Sequence, residues 1–168
     1  MLQLRGLLFT MLVPGLVAVY MPHLIIGSRL QQGGLWQTGW LLIALGSAIY
    51  SNCLLSFLAA NGTPAIFFTY HLRMVIGNEP SALVRGGLYK FSRNPMYLGV
   101  VLVTIGQAIL YASGPLAAYG ITMFLFFHLV VVFIEEPHLK ARDPKSFEQY
   151  CREVPRWFGL EKKSRAKA

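Results

Sequence analysis

Four stretches of this chain contain no Asp, Glu, Lys or Arg: residues 6–28, 39–60, 95–113 and 115–134. Each matches the roughly 20 residues that a helix needs to cross a hydrocarbon core of about 30 Å. No other feature constrains the fold so strongly, because backbone placed in lipid must satisfy its hydrogen bonds internally, as a helix does. Composition agrees. Of the 168 residues 55% are hydrophobic and 13% charged, whereas charged residues make up about a quarter of a soluble domain. The expected fold is all-α, an integral membrane bundle of four transmembrane helices followed by a short C-terminal amphipathic helix. Residues 1–168 are expected to form a single membrane-embedded domain. Pro14 and Pro22 should kink the first span, which is tolerable where neighbouring helices satisfy the freed carbonyls. A cleaved signal peptide fits less well, since the apolar run is too long and its basic flank is Arg5 alone.

Charge sets the orientation. Of 15 Lys and Arg residues, four spans place all but Arg29 on one side: Arg5, then Arg73, Arg85, Lys90 and Arg93, then the tail after Ile134. By the positive-inside rule both termini and the loop from Asn61 to Asn94 should be cytoplasmic. The short termini and absence of targeting signals favour a bacterial plasma membrane. The net charge of +8 then reports orientation and contact with membrane lipids. Nothing resembles a folded basic surface or stacking platform for nucleic acid. Cys53 and Cys151 fall in different environments, and neither has a neighbour at metal-ligand spacing, so neither a structural disulfide nor a metal is expected.

The tail is organised. Asp143-Pro144 supplies an N-cap and a first-turn proline, and Pro155 limits the helix on its far side. Phe147, Tyr150, Cys151 and Val154 form an apolar stripe at i, i+3, i+4 and i+7. A helix this short depends on a surface, either the membrane or the cytoplasmic ends of the spans. Trp157 and Phe158 are candidate interfacial anchors.

Two polar clusters flank the last pair of spans: Gly87 to Gly99, containing Arg93-Asn94-Pro95-Met96-Tyr97, and Glu135-Glu136-Pro137-His138-Leu139. An antiparallel hairpin brings both to one membrane face. With the span ending at Ile134, the glutamates would stand at the negative end of a helix dipole and repel each other. Arg85, Arg93, Lys140, Arg142 or a cationic ligand must offset them. Gly86, Gly87 and Gly99 permit close backbone approach to a ligand, and Tyr89 and Tyr97 offer rings and hydroxyls. His128, an ionisable residue inside a span, lies seven residues before Glu135 and should share its helix face. It is a candidate for a substrate tunnel, or else a neutral histidine bonded to Gln107 or Asn52.

The order Gly62-Thr63-Pro64, Leu83-Val84-x-x-Gly87-x-Tyr89, Arg93-Asn94-Pro95-x-Tyr97-x-Gly99, Glu135-Glu136-Pro137-x-Leu139, Phe147-x-x-Tyr150 and Val154-Pro155-Arg156 resembles the isoprenylcysteine carboxyl methyltransferase family over about residues 62–158. Phospholipid methyltransferases and membrane sterol reductases share parts of it. The resemblance implies a membrane methyltransferase using S-adenosyl-L-methionine, with the cofactor region at 83–99 and 135–158. It carries cofactor-binding roles onto Leu83, Val84, Tyr89, Asn94, Pro95, Met96, Tyr97 and Glu135. Asn94 stands where histidine is commoner and cannot titrate near neutral pH. The arginine that precedes the glutamates in the family, associated with the prenylated substrate, has no counterpart in Val130-Val131-Val132-Phe133-Ile134.

A sulfonium cofactor is cationic and suits the glutamates. A carboxylate acceptor needs no base, whereas an amine must lose a proton, for which Glu136, the candidate catalytic residue, or His138 is local. The expected activity is methylation of a lipid-like or prenylated acceptor of the isoprenylcysteine carboxyl type. The alternatives are a phospholipid or other amine N-methyltransferase and, from another class, a non-catalytic membrane scaffold or transporter subunit.

Overall fold

A computed structural model describes residues 2–27, 32–64 and 79–159. Arg29, Arg73 and the basic end from Lys162 lie outside the described residues. The described chain is helical throughout, without strands: α1 (Leu2–Leu12), α2 (Met21–Ile26), α3 (Trp36–Ala59), α4 (Pro95–Leu110), α5 (Gly114–Val130), α6 (Glu136–Arg142) and α7 (Pro144–Glu153), with a 3-10 turn at Gly87–Lys90. Three continuous helical segments are long and apolar enough to cross a membrane: Gln3–Ile26, Trp36–Ala59 and Gly114–Arg142. The fourth, α4, has 16 residues and rises only about 24 Å. It stops short of the expected boundary because Ala112 takes a positive φ of 46° and Ser113 N–H reaches back to Ala108 O at 2.9 Å, a Schellman closure. Ser113 then caps α5 by accepting from Leu116 N–H.

Glycine holds the centre of the bundle. Gly39 and Gly46 on α3 lie opposite Gly106 and Gly99 on the antiparallel α4, each pair one heptad from the next. A Cβ on Gly46 would sit 2.5 Å from Gly99 O, and one on Gly39 would sit 2.8 Å from Gly106 O. The two backbones therefore touch, which is how membrane helices gain packing when lipid removes the hydrophobic drive. Gly99, expected to admit a ligand, instead packs against Gly46 and Tyr50.

Proline shapes the other helices. Each long kinked segment contains a widened π turn, at Leu16–Tyr20 and Val131–Glu135, two residues before Pro22 and Pro137 respectively. A proline lacks the N–H and collides with the preceding turn, and a wider turn relieves the clash. In the first segment the freed carbonyls are supplied by neighbours: Gln107 Nε2 donates to Ala18 O at 2.7 Å and Tyr119 Oη to Val17 O at 2.9 Å. Thr10 Oγ1 and Tyr50 Oη, 2.9 Å apart, join α1 to α3.

The second π turn corrects two sequence expectations. The helix does not end at Ile134 but runs on through α6 to Arg142, so the glutamates are not at a helix terminus. The inserted turn also breaks the seven-residue register between His128 and Glu135, and His128 faces elsewhere.

The amphipathic helix forms as α7, with Ser146 N–H donating to Asp143 Oδ1 at 3.1 Å. Its stripe turns inward: Phe147, Tyr150 and Val154 are buried, so α7 is a lid over the spans and not a helix lying on lipid.

Replacing Gly46 with Val should lower stability in detergent by about 1–3 kcal/mol or more, since two backbones must separate. Gly34→Ala, with open space around the position, should leave the unfolding midpoint unchanged. The Asp143 carboxyl is held below its ordinary value by the Ser146 hydroxyl and backbone N–H. Its contribution is complete above the unfolded value of about 3.9 and is lost as pH falls through the lower folded value. The stability difference between the wild type and Asp143→Asn should therefore be constant above about pH 4 and shrink as pH falls below it, with the wild type showing the steeper loss.

Candidate active site

Beneath α7 lies a cavity of about 100 Å³ that opens to solvent. Its floor comes from the spans, through Phe9, Phe57, Met96, Tyr97, Val131 and Glu135, and its roof from Phe147 and Tyr150. Pro80, Leu83 and Val84 close one side. Of the residues singled out in the sequence, Leu83, Val84, Tyr89, Asn94, Met96, Tyr97, Glu135 and Glu136 all line it. Pro95 is buried at the first position of α4 and His128 is on another face; neither lines the cavity.

The two glutamates meet different partners. Glu135 is 8% exposed and accepts a hydrogen bond from Tyr97 Oη, 38 positions away in sequence. Tyr97 is itself fixed by the Phe127 ring at 4.6 Å. Glu136 points to a different set of partners. Arg156 grips it with two parallel bonds, Nε to Oε1 at 2.7 Å and NH2 to Oε2 at 2.9 Å, and Arg93 NH1 approaches Oε1 at 3.1 Å. A carboxylate gripped in this way is a clamp, which argues against the expected catalytic role of Glu136. His138 is also engaged, with Nε2 3.1 Å from Glu79 Oε1, and Arg142 NH1 lies 2.6 Å from Glu79 Oε2.

Of the cations expected to offset the glutamate pair, only Arg93 does so. Arg85 donates to Ser146 O, Lys140 pairs with Glu148 at 3.5 Å, and Arg142 serves Glu79. Arg156 was the missing partner. Its place after Val154-Pro155 was visible, but not that the chain returns there to α6.

That return is stitched by backbone. Arg93 N–H donates to Pro155 O at 3.0 Å, and Asn94 Nδ2 and Ser92 Oγ both donate to Arg156 O, at 3.1 and 3.3 Å. Asn94 thus spends its amide on the strap. Tyr150 Oη donates to Tyr89 O at 2.7 Å. Burial pushes both phenols well above their ordinary values, so they act as protonated donors and not as bases. Trp157 is no simple membrane anchor: Nε1 donates to His128 Nδ1 at 3.0 Å and the ring packs on Phe124. His128 therefore takes neither Gln107 nor Asn52 as its bonded partner. Phe158 is 76% exposed, as an interfacial residue requires.

One donor in this site is left over. Arg93 is mostly covered, and its Nε is buried without a hydrogen-bond partner among the described residues. Such an atom costs about 1–3 kcal/mol.

The phospholipid methyltransferase family matches residues 35–142, from the start of α3 to the end of α6. The chain belongs to that family. It is a family that includes the isoprenylcysteine carboxyl methyltransferases. No curated protein and no solved structure matches. Family and apolar helices together support a membrane methyltransferase. The matched segment contains both glutamates and Tyr97, while Arg156 and the lid lie beyond it.

Glu136→Gln and Arg156→Gln should each lower stability by about 1.5–3 kcal/mol, the range for hydrogen bonds to charged groups. Unfolding in detergent should show the double variant costing much less than the sum of the singles. Additive losses would mean that the two side chains do not act together.

Proposed function

We propose that this chain is a single membrane-embedded methyltransferase domain of four spans that uses S-adenosyl-L-methionine and methylates a lipid-like acceptor. The observation that carries the reading is Glu135: a buried carboxylate, hydrogen-bonded among the described residues by Tyr97 alone, in the wall of a largely apolar cavity. Such a group calls for a cationic ligand. S-adenosyl-L-methionine, when bound, supplies an electrophilic methyl group on a sulfonium and adds an α-ammonium.

The donor set fits it. Glu135 holds positive charge, Tyr97 orients Glu135, and Leu83, Val84 and Met96 give apolar contact. Tyr89 and Asn94 support the wall, and Pro95 starts the helix that carries Tyr97. The roof from α7 covers part of the cavity, and the lower local dielectric strengthens the electrostatic contacts beneath it. Holding donor and acceptor in register is itself a large part of catalysis for an in-line displacement. No covalent enzyme intermediate is needed.

Both termini are placed on the cytoplasmic side, where the cofactor is available, in keeping with the clustered Lys and Arg. In this arrangement α4 is the third of the four spans, a short one packed between α3 and α5. Phe9 and Phe57, from the first two spans, give the cavity an apolar floor, suiting an acceptor delivered from lipid. Carboxyl O-methylation of the isoprenylcysteine type is the first reading of the reaction. Amine N-methylation is the second, favoured by the family that matches.

S-adenosylhomocysteine should bind the purified wild-type protein in a calorimetric titration. Glu135→Gln should weaken that binding by about 10- to 100-fold, the loss of one charged contact. Unchanged affinity in a folded variant would remove the cofactor from this cavity.

A further inference from the structure

The two π turns of this protein are held in different ways. At Leu16–Tyr20 neighbouring spans bond the backbone of the turn directly, Gln107 at Ala18 O and Tyr119 at Val17 O. At Val131–Glu135 no side chain among the described residues donates to the backbone of the turn. A widened turn followed by proline is a weak point in a helix, so the angle between α5 and α6 must be fixed from outside. The strap does this. Its adjacent residues attach on opposite sides of the turn: Arg156 to Glu136 just after it, and Trp157 Nε1 to His128 Nδ1 at 3.0 Å, three residues before it. The other ion pairs of α6 run to Glu79, Arg93 and α7. The Trp157 ring also lies against His128, with centroids 6.0 Å apart, and packs into the cluster of Ala18, Val100 and Phe127 that Tyr97 joins. An indole N–H only donates, so His128 Nδ1 is the acceptor and the ring is neutral with its proton on Nε2.

We propose that His128 is a positioning residue for the cavity: by accepting from Trp157 it splints the second π turn and so fixes the direction in which Glu135 points. Glu135 is the last residue of that turn, and the hydrogen bond from Tyr97 is the contact that its direction decides. His128 lines no part of the cavity and acts only through the turn. The inference rests on reading Glu135 as the group that holds S-adenosyl-L-methionine. It also gives the strap a task beyond carrying the lid, because Arg156 and Trp157 together span the turn that neither could hold alone.

The test titrates S-adenosylhomocysteine into the full chain in nanodiscs, well below the unfolding midpoint of each variant. His128→Leu removes the acceptor and should weaken binding about five- to tenfold, the loss of one hydrogen bond. His128→Asn places Oδ1 where Nδ1 stood and should return affinity to within about twofold of wild type. A histidine that merely fills space in a membrane span would be replaced better by leucine than by asparagine, so rescue by asparagine separates the two roles. Trp157→Phe keeps a ring in the cluster but removes the donor; it should show the same loss as His128→Leu and stands in for it if that variant does not fold. In a Glu135→Gln background His128→Leu should cost no more than about twofold further, because its effect passes through that carboxylate. Unchanged affinity in His128→Leu, no rescue by asparagine, or an equal loss in the Glu135→Gln background each overturns the proposal. If the wild type binds no S-adenosylhomocysteine, the cofactor reading fails and this inference with it. Normal wild-type binding that is indifferent to both His128→Leu and Trp157→Phe defeats the splint alone.

Discussion

The contact on which the rest of the molecule depends is the one between the backbones of α3 and α4. Lipid tails are as apolar as leucine, so helices in a membrane gain little by burying large side chains against one another and more by bringing backbones close. Gly39 with Gly106 and Gly46 with Gly99 provide that approach at two points one heptad apart. Two points define a line, and the register of α3 against α4 follows. Cys53 and Phe57 continue the buried face of α3 and meet Tyr89 beside the cavity, where the Phe57 and Tyr89 rings pack edge to face at 5.7 Å. The floor of the site is therefore positioned by a seam that contains no chemically active residue.

A second constraint acts within α5 and α6. Pro137 forces the turn before it to widen, which rotates Glu135 away from the face that His128 occupies. Consecutive residues on a helix point about 100° apart, so Glu135 faces Tyr97 and the apolar cavity, and Glu136 faces Arg93 and Arg156. Glu135 lines the cavity while its neighbour anchors the strap from Pro155 to Trp157. The strap in turn holds α7 over the cavity and fastens to α5 through Trp157 and His128. Lid, clamp and cavity wall are thus parts of one connected assembly, and a change at Arg156 reaches the roof as well as the clamp.

Much of this was legible in the sequence wherever the signal was local. The N-cap at Asp143, the apolar stripe of Phe147, Tyr150 and Val154, and the need for partners at the kink near Pro22 follow from neighbouring residues, and all appear in the fold. The convergence of Tyr97 and Glu135 was also legible, since a short turn between two apolar helices leaves their outer ends adjacent. The misreadings share a cause. Ending the helix at Ile134 treated loss of hydrophobicity as loss of helix, yet hydrogen bonding continued past Pro137 by way of a wider turn. Assigning Gly99 to a ligand overlooked that a glycine's closest neighbour in a membrane is often another helix. Placing His128 on the face of Glu135 assumed a regular period that the π turn interrupts.

The sequence by itself determined the solvent of this protein, the positions of most of its helices and the residues that carry charge near its site, because hydropathy, capping and motif order act over a few turns of chain. Only the tertiary structure decided which arginine meets which glutamate, which carboxylate faces Tyr97 in the cavity wall and where α7 rests. Those outcomes depend on how the glycine seam and the proline-widened turn orient distant side chains, and a linear pattern holds no record of rotation about a helix axis once its period is broken.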